Sequence, residues 1–500
     1  MLLLINPPNP PDGISNKDTM GGFGQVYDDM SASSLYPLDM LYIASVMKKN
    51  SIDVKIYDCA AMHLSTDELI KIIKAAQPKI LGVRTSTPTA NWDISVIEKI
   101  KKEVSVQVVV FGPHATLFAR EIIDNRAVDA VVLGEPEYAF LDLVNKHWDN
   151  VEGIIYKRDG KIHSNESIRI IDDLDALPFP AWDMVSTDAY SSGEYINNQS
   201  SFFTMITSRG CPFVCTYCPY PVSQGKKWRS RSEDNVVDEI QYLMDNFGMK
   251  ALLFRDPEFT LNNDRVMRIC QEIIKRGLKF SWRCETRVDT VSDELLTMMA
   301  KAGCVGINFG IESINEKILA TVGRKSIAEK DIIDRISTCK SLGIKTFCFF
   351  IIGFPDDDAE TIMDNINFSL KLQPDYAQFT VYTPYYGTEL YSWYVANGFI
   401  EDNASSSLTS YKSVVRSKKL TMTEIQKFRD LSSKMWEMTV KLKAYPELAA
   451  KAEHLNAIKA TYWYKISYGC YSFYKRIRNF FIAKLIVKRA NKKTKAVINE

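Results

Sequence analysis

The sequence predicts an α/β protein with two parallel-sheet units in series and a helical region at the carboxyl end. Short apolar segments alternate with segments of helical length over residues 1–150, and the alternation returns over residues 197–400. Such alternation is typical of parallel sheets that are covered by helices. Beyond Gly398 no strand segment follows, so residues 401–500 are predicted to be helical.

The composition agrees with an intracellular protein of several domains. The chain has 500 residues, of which 46% are hydrophobic and 25% are charged, close to globular averages. Its ten cysteines do not form a disulfide framework in a chain of this length. The net charge of +1 argues against a nucleic-acid-binding protein. Seven of the cysteines are scattered among apolar residues and are predicted to be core residues: Cys59, Cys270, Cys284, Cys304, Cys339, Cys348 and Cys470.

The first unit, residues 1–150, is predicted to be a doubly wound, Rossmann-like sheet. Its opening segment, Met1–Asn6, stops at two prolines and has no basic region, so it is interpreted as a strand and not as a signal peptide. Ligands of such sheets bind at the carboxyl ends of the strands. The predicted strands are Leu2–Ile5, Val54–Tyr57, Ile80–Val83, Val106–Phe111 and Val128–Leu133, and the predicted helices are Leu38–Lys48, Leu69–Ala76 and Ile94–Glu103.

A hairpin and a proline-rich linker are predicted between the units, over residues 151–196. The segments Ile154–Lys157 and Lys161–His163 flank an Asp-Gly dipeptide, which is typical of tight β-turns. Two prolines stand within Leu177–Asp183, and they favour extended chain because a helix interior excludes proline.

The second unit, residues 197–400, carries three cysteines in one loop directly after its first strand. Cys211, Cys215 and Cys218 form a C-x3-C-x2-C motif. The spacing lets three thiolates converge on one metal centre, and it supplies one ligand fewer than a structural zinc site or a closed iron–sulfur cluster needs. An open coordination position on the metal indicates a site that takes part in a reaction and not a purely structural site. The alternatives are three buried cysteines clustered by chance and half of a zinc site.

The cysteine motif resembles the cluster loop of the radical S-adenosylmethionine (SAM) superfamily. In that family three cysteines hold a [4Fe-4S] cluster and SAM occupies the fourth iron, so the resemblance assigns Cys211, Cys215 and Cys218 to iron. Tyr217 matches an aromatic residue that the family places near the adenine. The family also implies an electron donor such as ferredoxin or flavodoxin, low-oxygen conditions and a cytoplasmic location. It implies a partial (β/α)6 barrel whose strands are Phe203–Thr207, Ala251–Arg255, Phe280–Cys284, Cys304–Phe309, Thr346–Gly353 and Gln378–Tyr382.

Segments similar to family motifs follow the later barrel strands in the family's order. Glu258 stands where the family positions the amino group of SAM. Glu285 and Arg287 follow the third strand, where they would grip the ribose hydroxyls and the methionine carboxylate. Glu312 lies in a match to the G-x-E-S segment, and Gly353 ends a strand whose backbone accompanies the adenine. The alternative for each carboxylate is a helix cap or a salt-bridge partner.

The loops of the first unit resemble those of the cobalamin-binding domain that precedes many radical SAM domains. Small and hydroxylated residues after its strands would let a corrin ring approach the backbone, and the candidate contacts are Thr85, Ser86, Gly112 and Gly134. The chain has no D-x-H-x-x-G element, so the resemblance implies cobalt without a histidine ligand, and His114 is interpreted as a loop residue. The alternative is a degenerate domain that covers the barrel and binds nothing.

The carboxyl-terminal region, residues 401–500, combines predicted helices with a basic, aromatic segment. A capping box at Thr421–Glu424 precedes a helix over Ile425–Leu442, and another helix is predicted over Glu447–Ala460. Lys459–Lys495 contains many Lys and Arg residues and no Asp or Glu. This segment is interpreted either as a packed helix with a solvated tail or as a contact with an anionic membrane. No run of apolar residues is long enough to predict a membrane span.

The resemblance implies a cobalamin-dependent radical SAM enzyme that methylates an unactivated carbon of an apolar or lipid-like substrate. In such enzymes the reduced cluster cleaves SAM, a 5′-deoxyadenosyl radical removes hydrogen from the substrate, and methylcobalamin supplies the methyl group. One alternative is cyclisation or another rearrangement of a hydrophobic substrate, as in the anaerobic cyclase of bacteriochlorophyll synthesis. Another alternative is a non-catalytic corrinoid or iron–sulfur sensor. No motif names the substrate.

Overall fold

The amino-terminal sheet of the computed structural model confirms the predicted doubly wound unit. Residues 1–27, 35–165, 167–190, 201–400 and 409–444 are described. The strands of this part are β1 (Leu2–Asn6), β2 (Ile14–Asn16), β3 (Gln25–Tyr27), β4 (Val54–Asp58), β5 (Ile80–Arg84), β6 (Gln107–Phe111), β7 (Ala130–Val132), β8 (Ile154–Arg158) and β9 (Lys161–Asn165). The helices are α1 (Leu38–Lys49), α2 (Thr66–Ala76), α3 (Ala90–Glu103), α4 (Pro113–Leu117), α5 (Ala119–Asp124) and α6 (Glu137–Asn145).

The strand order explains where this sheet can bind a ligand. The order is β4-β1-β5-β6-β7-β8-β9, and the first five strands in that order are parallel. The chain therefore changes its direction of winding between β1 and β5, and the crevice at the carboxyl ends of these strands is the usual ligand position in such sheets. The predicted hairpin, β8 and β9, pairs antiparallel with β7 and extends the same sheet. The predicted boundary at residue 150 thus divides a continuous sheet.

The second sheet has the six parallel strands expected of a partial barrel. Its order, β10-β13-β14-β15-β16-β17, follows the chain, and a separate two-stranded ladder pairs β11 with β12. The strands are β10 (Phe202–Met205), β11 (Ser208–Arg209), β12 (Arg229–Ser230), β13 (Ala251–Phe254), β14 (Ser281–Arg287), β15 (Cys304–Glu312), β16 (Lys345–Ile352) and β17 (Tyr376–Val381). The helices are α7 (Tyr220–Gln224), α8 (Glu233–Phe247), α9 (Asn263–Lys275), α10 (Asp293–Lys301), α11 (Glu316–Thr321), α12 (Glu329–Ser341), α13 (Ala359–Leu372), α14 (Glu389–Ala396) and α15 (Met422–Ala444).

The barrel helices follow directly from sequence periodicity and capping. In α9 the Asn262 side chain accepts a hydrogen bond from a backbone amide of the first turn, which satisfies a donor that has no partner within the helix. Val266, Ile269, Cys270 and Ile273 recur at helical spacing and are all buried. The helix therefore presents one apolar face to the sheet.

The two sheets share a continuous hydrophobic core. Tyr36, which precedes α1, stacks on Phe203 of β10 with ring centroids 5.4 Å apart, and Trp182 packs edge-on against Phe203 at 5.3 Å. Trp182 comes from the predicted linker and is 1% exposed. The linker is thus part of the packing between the units.

The described helices include none that is long and apolar enough to cross a membrane. The predicted helix over Glu447–Ala460 and the basic, aromatic segment that follows it lie outside the described residues, as does Cys470.

Candidate active site at the barrel rim

A cavity of about 340 Å³ lies at the carboxyl ends of the barrel strands, where sites of such barrels form. It is lined by the cysteine loop, by the ends of β13 to β17 and by the hairpin of β2 and β3. The proposed iron ligands and most of the proposed SAM contacts share this one space: Cys211, Cys215, Cys218, Tyr217, Glu258, Glu285, Arg287 and Glu312.

The three loop cysteines are free thiols. Within the described residues, no three His, Cys, Asp or Glu side chains converge as ligands of a single metal ion. In an iron–sulfur cluster each cysteine binds its own iron, so the three thiols need not converge on a point.

Burial favours the neutral, protonated form of two of these thiols, those of Cys211 and Cys218. It raises the pKa of Cys211 to about 11 and also raises the pKa of Cys218. Such thiols stay protonated near neutral pH unless positive charge stabilises the thiolate, and thiolate is the form that binds metal. The loop therefore fits a centre that supplies positive charge.

The Glu258 carboxylate is hydrogen-bonded to neighbouring hydroxyl groups and to a backbone amide. It accepts hydrogen bonds from Thr286, from Thr290 at 2.8 Å and from the Arg287 amide at 3.0 Å. Burial raises the pKa of Glu258, whereas these donors favour the charged form. Glu258 is 3% exposed, and its hydrogen bonds tie the segment after β13 to β14.

Glu285 and Arg287 end β14 and point to the same cavity. Glu285 binds Arg255 at 2.6 Å and keeps 29% of its side chain exposed. Arg287 forms two hydrogen bonds of 2.8 Å with Asp289, and its guanidinium lies 4.3 Å from the ring of Phe213 in the cysteine loop. Arg287 is buried and is not a surface charge, although it faces the cavity.

Glu312 adopts a left-handed backbone conformation at the end of β15. Its φ is 64°, a region that non-glycine residues seldom adopt, and such conformations concentrate at functional sites. Burial raises its pKa, and Arg324, 3.8 Å away, opposes this effect. Arg324 also donates to the Tyr217 hydroxyl at 3.3 Å, so it connects Glu312 with the cysteine loop.

Gly353 does not line the cavity, contrary to expectation. Its amide donates to Asp357 at 2.8 Å, its carbonyl accepts from Tyr394, and an added Cβ would lie 3.3 Å from Ile425 of α15. Both backbone groups are thus engaged away from the barrel mouth. Ile351, two residues earlier, lines the cavity instead.

The predicted cobalamin contacts divide into two groups. Gly112 and Gly134 line a second cavity of about 130 Å³ between the domains. Thr85 and Ser86 line neither cavity. The Thr85 hydroxyl donates to buried Asp93, and the Ser86 hydroxyl bonds Thr89, so these polar groups serve the packing beneath the loop.

The second cavity is smaller than the pockets of about 300–1,000 Å³ that hold drug-sized ligands. Tyr220 and Arg255 line both cavities and stand between them.

His114 is a buried helical residue and not a loop residue. It lies in α4, stacks on Phe118 at 4.6 Å and contacts the Thr87 hydroxyl at 3.2 Å. It lines neither cavity. That it is not a cobalt ligand stays a prediction.

Sequence reasoning assigned no role to three residues that shape the cavity. Arg255 pairs with Glu285, Arg324 links Glu312 with Tyr217, and Asn308 lies 3.4 Å from Glu285. Arg255 and Asn308 lie near the carboxyl ends of predicted barrel strands, and this position could have identified them as candidate site residues. Arg324 follows a short helix, and no pattern in the sequence indicates it.

A doubly wound domain joined to a six-stranded partial barrel, with three free thiols beside a charged cavity, defines an iron–sulfur enzyme of the open-barrel class. Two family models match the chain accordingly. The B12 binding domain matches residues 24–144, and the Radical SAM superfamily matches residues 205–369.

Curated relatives extend this match along most of the chain. An uncharacterized methyltransferase of Pyrococcus horikoshii is 36% identical over 78% of this chain and 85% of its own length. The cytidylyl-2-hydroxyethylphosphonate methyltransferase of Streptomyces wedmorensis is 27% identical over 75% and 81%. The anaerobic magnesium-protoporphyrin IX monomethyl ester cyclase of Rubrivivax gelatinosus is 30% identical over 71% and 65%.

A solved structure has the same overall fold. The cobalamin-dependent S-adenosylmethionine radical enzyme OxsB, with aqua-cobalamin and S-adenosylmethionine bound, gives a TM-score of 0.72 at 17% identity, covering 100% of this chain and 80% of that chain. The chain therefore belongs to the radical SAM superfamily, among the enzymes that carry a B12-binding domain. Its cofactors are a [4Fe-4S] cluster, SAM and cobalamin.

Proposed function

We propose that the protein is a cobalamin-dependent methyltransferase that acts on an unactivated carbon of an apolar or lipid-like substrate. The observation that carries this proposal is the division of the main cavity into two sides. One side holds the cysteines and the charged residues, and the other side is aromatic and uncharged. We assign the charged side to the cluster and SAM, and the uncharged side to the substrate.

On the charged side, the proposed ligands are Cys211, Cys215 and Cys218 for iron. The Arg287 guanidinium would receive the methionine carboxylate, and the partly exposed carboxylate of Glu285 would accept hydrogen bonds from ribose hydroxyls. Glu258 and Glu312 would act mainly by fixing their neighbours, since each is already engaged by protein groups. Tyr217 would pack against the adenine.

On the uncharged side, aromatic rings and neutral hydrogen-bonding groups enclose the space. The wall is built from Tyr27, Phe349, Ile351, Gln378, Thr380, Tyr382, Tyr385, Ser410 and Tyr411. None of these side chains carries a charge at neutral pH. A charged substrate group buried here would lose its hydration without a compensating ion pair, so the wall favours an apolar reacting part.

Membership of the family does not predict which substrate the protein binds. The relative from Streptomyces is named for a cytidylylated phosphonate, and the relative from Rubrivivax is named for a porphyrin ester. We therefore base the proposed substrate class on the lining of this cavity and not on the substrate of any one relative. Methyl transfer is preferred over cyclisation because methyltransferase names predominate among the relatives.

When bound, the cofactors supply one-electron cleavage of SAM and donation of a methyl group. The chain itself binds and orients the substrate and excludes water. The aromatic rings of the uncharged wall would exclude water, since Tyr27 and Tyr411 pack with ring centroids 6.2 Å apart and Tyr382 packs on Tyr394 at 4.8 Å.

A second candidate, oxidative cyclisation, rests on the 30% identity to the anaerobic cyclase and on the aromatic wall, which also suits a flat macrocycle. The basic, aromatic segment Lys459–Lys495 further supports a substrate taken from an anionic membrane.

Comparative mass spectrometry of lipids and small molecules from a deletion strain tests the proposal. Strains complemented with the wild-type gene or with Cys211→Ala are compared. We expect a compound that is lighter by one methylene in the deletion and Cys211→Ala strains. A compound that differs by two hydrogens, and not by a methylene, would favour the cyclase.

A further inference from the structure

Four buried charged side chains close the base of the cysteine loop, and they come from both domains. Arg209 and Arg229 belong to β11 and β12, which pair antiparallel on either side of the loop. Glu135 and Glu137 follow β7 in the B12-binding domain. None of the four residues is more than 8% exposed. We call these four residues the charged clamp.

The clamp has the geometry of a strong interaction. Arg229 forms two hydrogen bonds with the two oxygens of Glu135, at 2.8 and 2.9 Å. Arg209 binds Glu137 at 2.6 Å and lies 3.4 Å from Glu135. Bidentate arginine–carboxylate pairs fix orientation as well as distance.

The clamp also reaches both ends of the cysteine loop. Arg209 stands two residues before Cys211, and the intervening Gly210 donates its amide to the Gln224 side chain at 3.1 Å. Arg229 donates to the Gln224 carbonyl at 2.9 Å, at the end of the short helix that follows Cys218. Any shift of Arg209 or Arg229 would therefore move the segments that carry the cysteines.

Among the described residues, the ion pairs of the four clamp side chains are all with one another. Burial alone would raise the pKa of Glu135, but Arg209 and Arg229 outweigh it and lower the pKa, so Glu135 is anionic at neutral pH. Removing one partner leaves an uncompensated buried charge, which is strongly unfavourable. In addition, Glu135, Glu137 and Arg209 themselves line the second cavity, beside Gly134.

We propose that Glu135 and Glu137 are positioning residues for the iron–sulfur loop: through Arg209 and Arg229, the B12-binding domain holds the cysteine ligands in place. The inference rests on the proposed iron ligands Cys211, Cys215 and Cys218. Three of the clamp residues line the second cavity between the domains, and the role proposed for all four is to position the cysteine loop through the contacts of Arg229 and Gly210 with Gln224.

The test uses the reconstituted full chain and the single variants Glu135→Gln and Glu137→Gln. Glutamine keeps the shape of the side chain and removes its charge. We expect the variants to take up a cluster, to lose its iron to a chelator about tenfold faster than the wild type, and to show an altered electron paramagnetic resonance spectrum of the reduced cluster. Asp172→Asn is the matched control, because Asp172 binds Lys227 near the same loop base through an exposed pair. We expect this control to match the wild type.

A second variant separates positioning from a role in the whole fold. Glu135→Leu combined with Arg229→Met removes both partners, and such replacements of buried ion pairs often leave stability unchanged. We expect the metal-free double variant to melt near the wild type and still to lose iron faster. Wild-type iron retention and spectrum in all clamp variants would overturn the proposal, as would unfolding of every clamp variant in the metal-free state.

The two proposals fail in distinguishable ways. If the wild-type chain itself does not reconstitute to about four irons, the assignment of the cysteines fails and the clamp is not at issue. If the wild type reconstitutes and the clamp variants are indistinguishable from it, only the clamp inference fails.

Discussion

Two glutamates that line the same cavity, Glu285 and Glu258, differ in burial, and this difference predicts different roles: SAM binding for Glu285 and stabilisation of the fold for Glu258. Glu285 keeps 29% of its side chain exposed and has one ion-pair partner, Arg255. Glu258 is 3% exposed and accepts from several hydroxyls and from a backbone amide. Replacing each by glutamine should therefore have different consequences.

Glu285→Gln is expected to weaken SAM binding about tenfold, because a hydrogen bond to a charged group contributes roughly 1.5–3 kcal/mol. Its melting temperature should stay within a few degrees of the wild type. Glu258→Gln is expected to lose about 2 kcal/mol of stability, since the amide cannot accept all the bonds that the carboxylate accepts. Equilibrium dialysis with SAM and thermal melting of both variants check this contrast. Unchanged SAM affinity in Glu285→Gln would remove Glu285 from the site.

Substituting Cys211, Cys215 and Cys218 together by alanine should abolish the brown absorption of the cluster. The control is Cys348→Ala, which removes a fully buried core thiol of β16 that lies apart from the cavity. We expect the control to retain the wild-type iron content. Near-complete iron retention in the triple variant would contradict the assignment of the ligands.

The cysteine spacing and the order of the rim segments are local patterns, and they predicted seven SAM or iron residues, together with Tyr217, that the fold brings to one cavity. Thr85, Ser86 and Gly353 line neither cavity, and their cofactor contacts stay predictions. Each of these residues uses its polar groups on partners brought close by folding, Asp93, Thr89, Asp357 and Tyr394, and no local pattern reveals such partners.

Helix α4 provides a pH-dependent test of the fold at the domain interface. His114 is buried there, and burial lowers its pKa to about 4, below the value near 6.5 of an exposed histidine. Between these values the unfolded chain binds more protons than the folded chain, so stability is lost as the pH falls from 6.5 towards 4.

The wild type should lose about 2 kcal/mol from this residue between pH 7 and pH 5, and His114→Phe should not lose it. Thermal melting of the metal-free proteins at the two pH values measures the difference. The variant should also leave the spectrum of reduced cobalt unchanged. An equal pH response in both proteins would show that His114 does not titrate as its burial indicates, and loss of a nitrogen hyperfine signal would show a cobalt ligand.

The strands of both sheets were predictable because each is a short, continuous apolar segment, as buried parallel strands usually are. The hairpin of β2 and β3 was not. Its residues between Ile14 and Tyr27 show no apolar alternation. Four of the five residues from Met20 to Gly24 have positive φ: Met20, Gly21, Gly22 and Gly24. The hairpin is held by long-range bonds, including one from Gln25 to Ser410, which sequence reasoning does not anticipate.

The basic, aromatic segment Lys459–Lys495 leads to the prediction that the enzyme contacts an anionic membrane. Each Lys or Arg near an anionic surface contributes about 1 kcal/mol of binding, and Lys459–Lys495 has many of them without acidic residues. The full chain should sediment with anionic vesicles at low salt, and a chain that ends at Ala460 should not. Neutral vesicles are the control. If the full chain stays in the supernatant with anionic vesicles, the substrate need not come from a membrane.

The joining of two cofactor domains, with two cavities that share Tyr220 and Arg255 in their walls, is the central feature of the molecule. It predicts that SAM cleavage and methyl transfer belong to one reaction on one substrate. A sensor would bind the cofactors without turnover, and a cyclase would cleave SAM without transferring a methyl group.

The most direct test is an anaerobic incubation of the holoenzyme with methyl-deuterated SAM, a reductant and an extract of the deletion strain, followed by mass spectrometry. We predict 5′-deoxyadenosine together with a product that has gained one labelled methyl group, and neither compound with the Cys211→Ala variant. Formation of 5′-deoxyadenosine with a product that has only lost hydrogen, or no 5′-deoxyadenosine from a fully loaded enzyme, would contradict the account.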